Sequence, residues 1–174
     1  MLLTVPQQMA LLGAGDYDGH AGKGRALASL VISTGVHPSV LAFPEDHDLE
    51  FTECYWSWRR AKTDAPLVNP WSPWMLRTDA VPVVQKLLGK TPQWLGELTA
   101  AAGRACALPG RVGFNRLRHT YFVNLARLGV DPWAISQMAG THLDTIGRFY
   151  MVGKREAKVL SPAQVEWLQL VMGV

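Results

Sequence analysis

The stretch LRHTYFVNLARLGVDPWAISQMAGTHLDTIGRFY, residues 117 to 150, constrains this chain more than any other. Leu117, Tyr121, Leu125 and Leu128 recur at steps of four, four and three, which places them on one face of a helix. Gly129 is the expected stop, and Asp131-Pro132 supplies the cap and first position of a second helix. Ile135, Met138 and Ala139 continue the apolar stripe until Gly140 ends it. A second helix after so short a break packs back against the first. Arg118, near the expected start of the first helix, and Tyr150, thirty-two residues later, are thereby brought within reach of each other.

The rest of the chain divides by the same rules. Thr4 ahead of Pro6 marks a first short helix carrying Met9, Leu11 and Leu12, followed by a glycine-rich loop over residues 13 to 24. Asp16, Asp18 and His20 in that loop are read as a solvated turn, with no metal site assigned. A helix is expected from Gly24 to Thr34, with Leu27, Leu30, Val31 and Thr34 buried and Gly35 as its end. A short strand follows around Leu49 and Phe51. From Glu53 to Arg59, Cys54, Trp56 and Trp58 alternate with Tyr55, Ser57 and Arg59, which predicts a half-buried strand. Lys62 to Pro66 is turn chemistry, and Leu67-Val68 begins a return strand. Trp71 to Trp74 reads as a connector with exposed or partly packed tryptophans. Helices are expected over 79–88 and 91–107, the latter with Thr91 as cap and Pro92 first. Lys154, Arg155 and Lys158 are placed on a short basic helix or loop. Ser161-Pro162 opens a final helix within 160–174, with Leu160, Val165, Leu168 and Val171 on one side. The fold class is mainly α with a small antiparallel β-sheet (α+β), in a single domain over 1–174.

Length and composition suit that reading. The chain has 174 residues, 48% apolar and 18% charged, enough for one ordinary core and unlike a disordered segment. No apolar run approaches the length of a membrane span, and the N-terminus lacks the pattern of a signal peptide. Cys54 and Cys106 stand far apart, so reduced thiols, a cytoplasmic setting and no metal are expected. Charge is uneven. Residues 1–53 carry two basic residues against seven acids, whereas residues 104–158 carry nine against three. A basic half of that kind suits a polyanionic partner, double-stranded DNA first.

Arg118-His119, Gly129-Val130-Asp131, Gly140-Thr141-His142 and Tyr150, in order and in register, resemble the second half of the tyrosine recombinase (phage integrase) catalytic domain. The resemblance extends over about residues 2–158, without the N-terminal helical domain with which such enzymes clamp DNA. It implies a fold of that type, no cofactor, and a phosphodiester cut and resealed through a 3′-phosphotyrosyl link. Tyr150 then matches the nucleophile and Arg118 the second phosphate-binding arginine. Lys62 matches the hairpin lysine that protonates the leaving 5′ oxygen, and His119 the common residue after the arginine. Three positions depart from the pattern. His37 stands where the first arginine belongs, Asn115 where a histidine does, and Thr141 in place of the histidine or tryptophan after the glycine, with His142 one place later. A histidine has less reach than a guanidinium and is largely neutral at pH 7. Losing one preorganised charged donor costs about 3 to 4 kcal/mol of transition-state stabilisation.

Arg60, Arg111, Arg116, His119, Arg148 and Lys154 are the expected contacts to the DNA backbone. Three readings remain open from the residues. One is an active DNA breaking-and-joining domain, argued by Tyr150, Arg118 and Lys62. Another is a DNA-binding regulator of the same fold without catalysis, argued by His37, Asn115 and Thr141. The third is an interaction module. The last helix either closes its own core or docks on a neighbouring copy on DNA.

Overall fold

Proline and a short polar side chain set most of the helix starts. Helices α1 (Val5–Leu12), α3 (Pro38–Ala42), α4 (Pro73–Arg77), α6 (Pro92–Ala105), α8 (Pro132–Ala139) and α10 (Pro162–Met172) all have proline in the first turn. Each is capped by the side chain just before it: Thr4, His37, Ser72, Thr91, Asp131 and Ser161 accept first-turn N–H groups. The proline has no N–H to leave orphaned there, and the cap satisfies another. Helices α2 (Gly19–Thr34), α5 (Ala80–Gln85), α7 (Phe114–Arg127) and α9 (Leu143–Ala157) complete the set in this computed structural model, which describes residues 2–13, 16–59 and 66–174.

Helix α2 is the centre, with α1, α5, α6, α7 and α10 around it. From Ala26 to Val36 every residue but one is an apolar or small polar side chain with almost no exposure, the exception being Gly35. The expected loop over residues 13 to 24 therefore ends at Gly19, and the helix begins five residues earlier than the glycines suggest. Their purpose is close packing. A Cβ on Gly24 would lie 2.0 Å from the Leu98 carbonyl oxygen, so only glycine lets α6 approach this near.

The sheet is three antiparallel strands in the order β1 (Glu50–Phe51), β2 (Tyr55–Arg59), β3 (Pro66–Pro70). Trp56 faces Phe51 on one side and Asn69 on the other, and Arg59 faces Pro66. Trp56 and Trp58 are buried as their alternation predicts, stacked at 4.4 Å between centroids. Cys54 lies before the strand and is exposed, contrary to its expected inward face. Trp71 is also no open connector residue: it is buried, stacks on Trp56 at 5.8 Å and donates from its indole to the Thr52 carbonyl. The expected turn over residues 62 to 66, with Arg60 and Lys62, falls largely outside the described residues.

The segment after Gly140 departs furthest from expectation. One continuous helix, α9, runs from Leu143 through Tyr150 to Ala157, and the basic residues 154 and 155 belong to its last turns. It is α9, more than α8, that packs along α7. Helix α10 closes on α4, α2 and α7 of its own chain, with Leu168 and Val171 buried and Trp167 edge-on to Trp74 at 5.9 Å. Among the described residues no helix is long and apolar enough to cross a membrane.

Candidate active site

Arg118 lies in the second turn of α7, not at its start, and its side chain runs to the C-terminal ends of two other helices. Nη1 donates to the Gly35 carbonyl at the end of α2, and Nη2 to the Ala139 carbonyl at the end of α8, at 3.0 Å. Helix C-termini present unpaired carbonyls and partial negative charge, which a guanidinium complements. The Arg118 guanidinium also sits 5.4 Å from the centre of the Phe122 ring. Arg118 thus ties α2, α7 and α8 together. Tyr121, three residues further along α7, is almost wholly buried, and burial pushes its phenol pKa well above the usual value.

His37 follows α2 by three residues. Its Nδ1 accepts from the Ser39 N–H at 3.3 Å and lies 2.9 Å from Ser39 Oγ, which leaves the ring proton on Nε2. The residue keeps an exposed edge, yet the protein around the ring lowers its pKa below the ordinary histidine value, with the charge of Arg118 next. The imidazole is therefore neutral at pH 7. His47, further along, is buried and its ring Nδ1 donates to the Arg59 carbonyl at 3.1 Å. It holds the end of β2.

Tyr150 is half-buried on α9, with the Lys154 ammonium 5.9 Å from its ring centre one turn on. Phe149, its neighbour, stacks on His119 at 4.4 Å between centroids. His119 follows Arg118, so the contact joins the two segments that carry the family pattern. Burial and then the Arg118 charge keep His119 below its usual pKa as well. Further along the same pair of helices Arg127, nearly buried, pairs with Glu156 of α9 and donates to Asn124 Oδ1 at 2.6 Å. Asn124 in turn exchanges hydrogen bonds with Gln8 of α1. The Arg127–Glu156 pair spans twenty-nine residues and carries no local sequence signal, so it was invisible to the motif.

The remaining expected site residues are spread around this junction. Thr141 is half-buried and its carbonyl accepts from Ser136 Oγ at 2.6 Å. His142 is exposed at the start of α9 and makes no capping bond. Arg148 and Lys154 are exposed on α9. Asn115 and Arg116 open α7 and line, with His37 and Arg111, a groove of about 500 Å³. Arg111 bonds Glu97 at 2.6 Å across that rim. Arg60 and Lys62 lie outside the described residues. Among the described residues no cluster of three or more His, Cys, Asp or Glu could hold a metal ion.

No protein-family model matches the sequence, and no curated protein matches it. Two solved structures share the fold. One is the XerH site-specific recombinase bound to a palindromic difH substrate in a post-cleavage complex, at TM-score 0.67 and 14% identity, covering 91% of this chain and 51% of that one. The other is XerH bound to its difH substrate in a pre-cleavage complex, at TM-score 0.64 and 15% identity, covering 91% and 52%. The chain thus spans about half the length of the chains it matches and has the fold of a tyrosine recombinase catalytic domain.

Proposed function

We propose that the chain is a DNA strand breaking-and-rejoining domain of the tyrosine recombinase type, with Tyr150 as nucleophile. The pairing of α7 with α9 carries this reading. Arg118 and Tyr150 each sit one residue from the His119–Phe149 stack, on two helices locked along their length. A fold shared with a recombinase bound to its DNA substrate supports the same reading.

The reaction asks little else of the chain. Tyr150 Oη attacks the phosphorus, the P–O5′ bond breaks, and a phosphotyrosyl ester of similar energy stores the strand. The phenol proton passes to a base or water. The departing 5′ oxygen takes a proton, in this reading from Lys62. Guanidinium groups suit the charge that gathers on the non-bridging oxygens. Reversal with a new 5′ hydroxyl rejoins the strand. Helix α10, which closes its own domain here, is the element that neighbouring copies would exchange on DNA.

A second reading is favoured by the inward bonds of Arg118 and the neutral ring at His37: a DNA-binding protein of this fold that no longer cuts. Incubation with supercoiled plasmid followed by denaturing gels separates the two. A covalent protein–DNA adduct that Tyr150→Phe abolishes is the outcome expected for the enzyme. DNA binding with no adduct on plasmid or on a selected binding site moves the assignment to the regulator. Absence of DNA binding at low salt sinks both.

A further inference from the structure

The groove at the start of α7 is lined by His37, Arg111, Asn115 and Arg116, and Arg118 is not among its lining residues. Arg116 is two positions before Arg118, about 200° around the helix, so the two side chains leave α7 on different sides. Nη1 of Arg116 donates to the Pro109 carbonyl at 2.7 Å. Its Nε and Nη2 are withdrawn from solvent with no acceptor. An ionised donor in that state is rare in folded proteins, since water has been removed and nothing replaces it.

The surroundings fit an anion of phosphate size. Arg111 stands on the same rim, and its ion pair with Glu97 is exposed on both sides, hence weak and exchangeable. Helix α7 has Gly113 as its N-cap, with no side-chain cap and no acid in its first turn, and Gly113, Phe114, Asn115 and Arg116 line the groove at this positive helix end. Gly96 and Gly113 line the groove with open space where a Cβ would stand. Asn115 and the Nε2–H of His37 add neutral donors at its edge. Glu97 is the one acid bonded to the lining among the described residues.

We infer that this groove is a phosphate seat, in which Arg116 and Arg111 grip a backbone phosphodiester of bound DNA. The inference rests on the DNA reading above and deepens it. Arg116 turns from Pro109 toward the phosphate, which gives its two orphaned nitrogens an acceptor in the bidentate geometry that guanidinium and phosphate share.

The test uses the full chain and two probes. Inorganic phosphate is titrated while arginine Nε–Hε resonances are followed by NMR, the Arg116 signal being identified by its loss in Arg116→Lys. A saturable shift of that signal, weakened in Arg111→Ala, is expected. A short DNA duplex is then bound at several salt concentrations. Arg116→Ala should lower affinity about tenfold and reduce the salt slope by about one, with Arg116→Lys between it and the parent. Arg77→Ala, an exposed arginine on α4, should change neither.

No shift at Arg116 together with unchanged duplex affinity in Arg116→Ala overturns the seat and leaves the DNA reading standing. A phosphate shift at Arg116 without any duplex binding at low salt overturns the assignment to DNA and leaves a site for small anions. The phosphate titration is read on the unsubstituted chain and takes only its assignment from Arg116→Lys, so misfolding of Arg116→Ala does not blunt it.

Discussion

Gly153 is where α9 comes nearest to α7, three residues after Tyr150 along the same helix. It is buried, and a Cβ built there would lie 2.5 Å from the Ala126 Cβ, 2.7 Å from the Val123 carbonyl oxygen and 3.1 Å from the Arg127 nitrogen. Carbon atoms rest at roughly 3.5 to 4.0 Å, so Gly153→Ala asks the helices to separate by about 1 Å. The neighbouring atoms are backbone and a Cβ, none of which can rotate away. Overpacking costs about 1 to 3 kcal/mol, and contacts that cannot rotate away put this one toward the upper end, about 2 to 3 kcal/mol. Alanine's better helix propensity returns about 1 kcal/mol at most. A net loss of about 1 to 2 kcal/mol is expected, read as a lower urea midpoint with an unchanged slope.

The functional consequence should exceed the loss of stability. A reacting group displaced by about 1 Å loses about a hundredfold in rate, and Tyr150 rides on the displaced helix. In the covalent-adduct assay Gly153→Ala should therefore be slowed by about that factor at a temperature where it is still folded. Ala126→Gly in the same chain removes the nearest clash and should restore part of both. A Gly153→Ala variant with the parent's midpoint would show that α9 does not rest on α7 as described. Lost stability with a full adduct rate would show that this contact does not position Tyr150.

Further substitutions report on the same junction and on the groove. Glu156→Ala leaves the Arg127 guanidinium, whose side chain is 3% exposed, without its carboxylate; the expected loss in urea unfolding is about 2 to 3 kcal/mol, below the full buried-pair range because Glu156 is 39% exposed. Glu156→Gln, which keeps an acceptor, should lose less, and equal losses would assign the effect to charge alone. The lowered pKa values of His37 and His119 mean that the unfolded chain binds protons more readily. Stability should then fall as pH drops from the ordinary histidine value, about 6.5, through the lower folded values, and level off beneath them. His37→Gln and His119→Gln should each flatten part of that slope in midpoints measured from pH 7 downward, and an unchanged slope in both would refute the assignment.

What could be read from the residues alone follows from which forces are local. Caps, first-turn prolines and left-handed glycines act within four residues, so Thr91-Pro92, Asp131-Pro132, Ser161-Pro162 and Gly140 marked their helix ends in the sequence as they do in the structure. The alternation that buries Trp56 and Trp58 is equally local. Gly24 reads as the end of a loop because nothing nearby in sequence announces the partner backbone that requires it; the reason for Gly24 lies on α6, and the backbone that requires Gly153 lies on α7. The residues alone put no helix between Gly140 and Lys154, where Gly147 and Gly153 lower helix propensity and only packing on α7 offsets the cost of Gly153. The site divides in the same way. Order and spacing singled out Arg118 and Tyr150, which the structure carries on two helices that pack together through His119 and Phe149. No pattern in one dimension can tell which way a guanidinium turns, and two arginines two positions apart on one helix differ here in that respect. Arg118 faces inward to carbonyls at the ends of α2 and α8, whereas Arg116 borders the groove with two nitrogens lacking an acceptor. The motif directs attention to the first arginine, and hydrogen-bond satisfaction to the second. If both grip phosphate, Arg118→Lys and Arg116→Lys should weaken duplex binding independently, because the two guanidiniums leave α7 on different sides and reach different carbonyls, those of Gly35 and Ala139 for one and of Pro109 for the other.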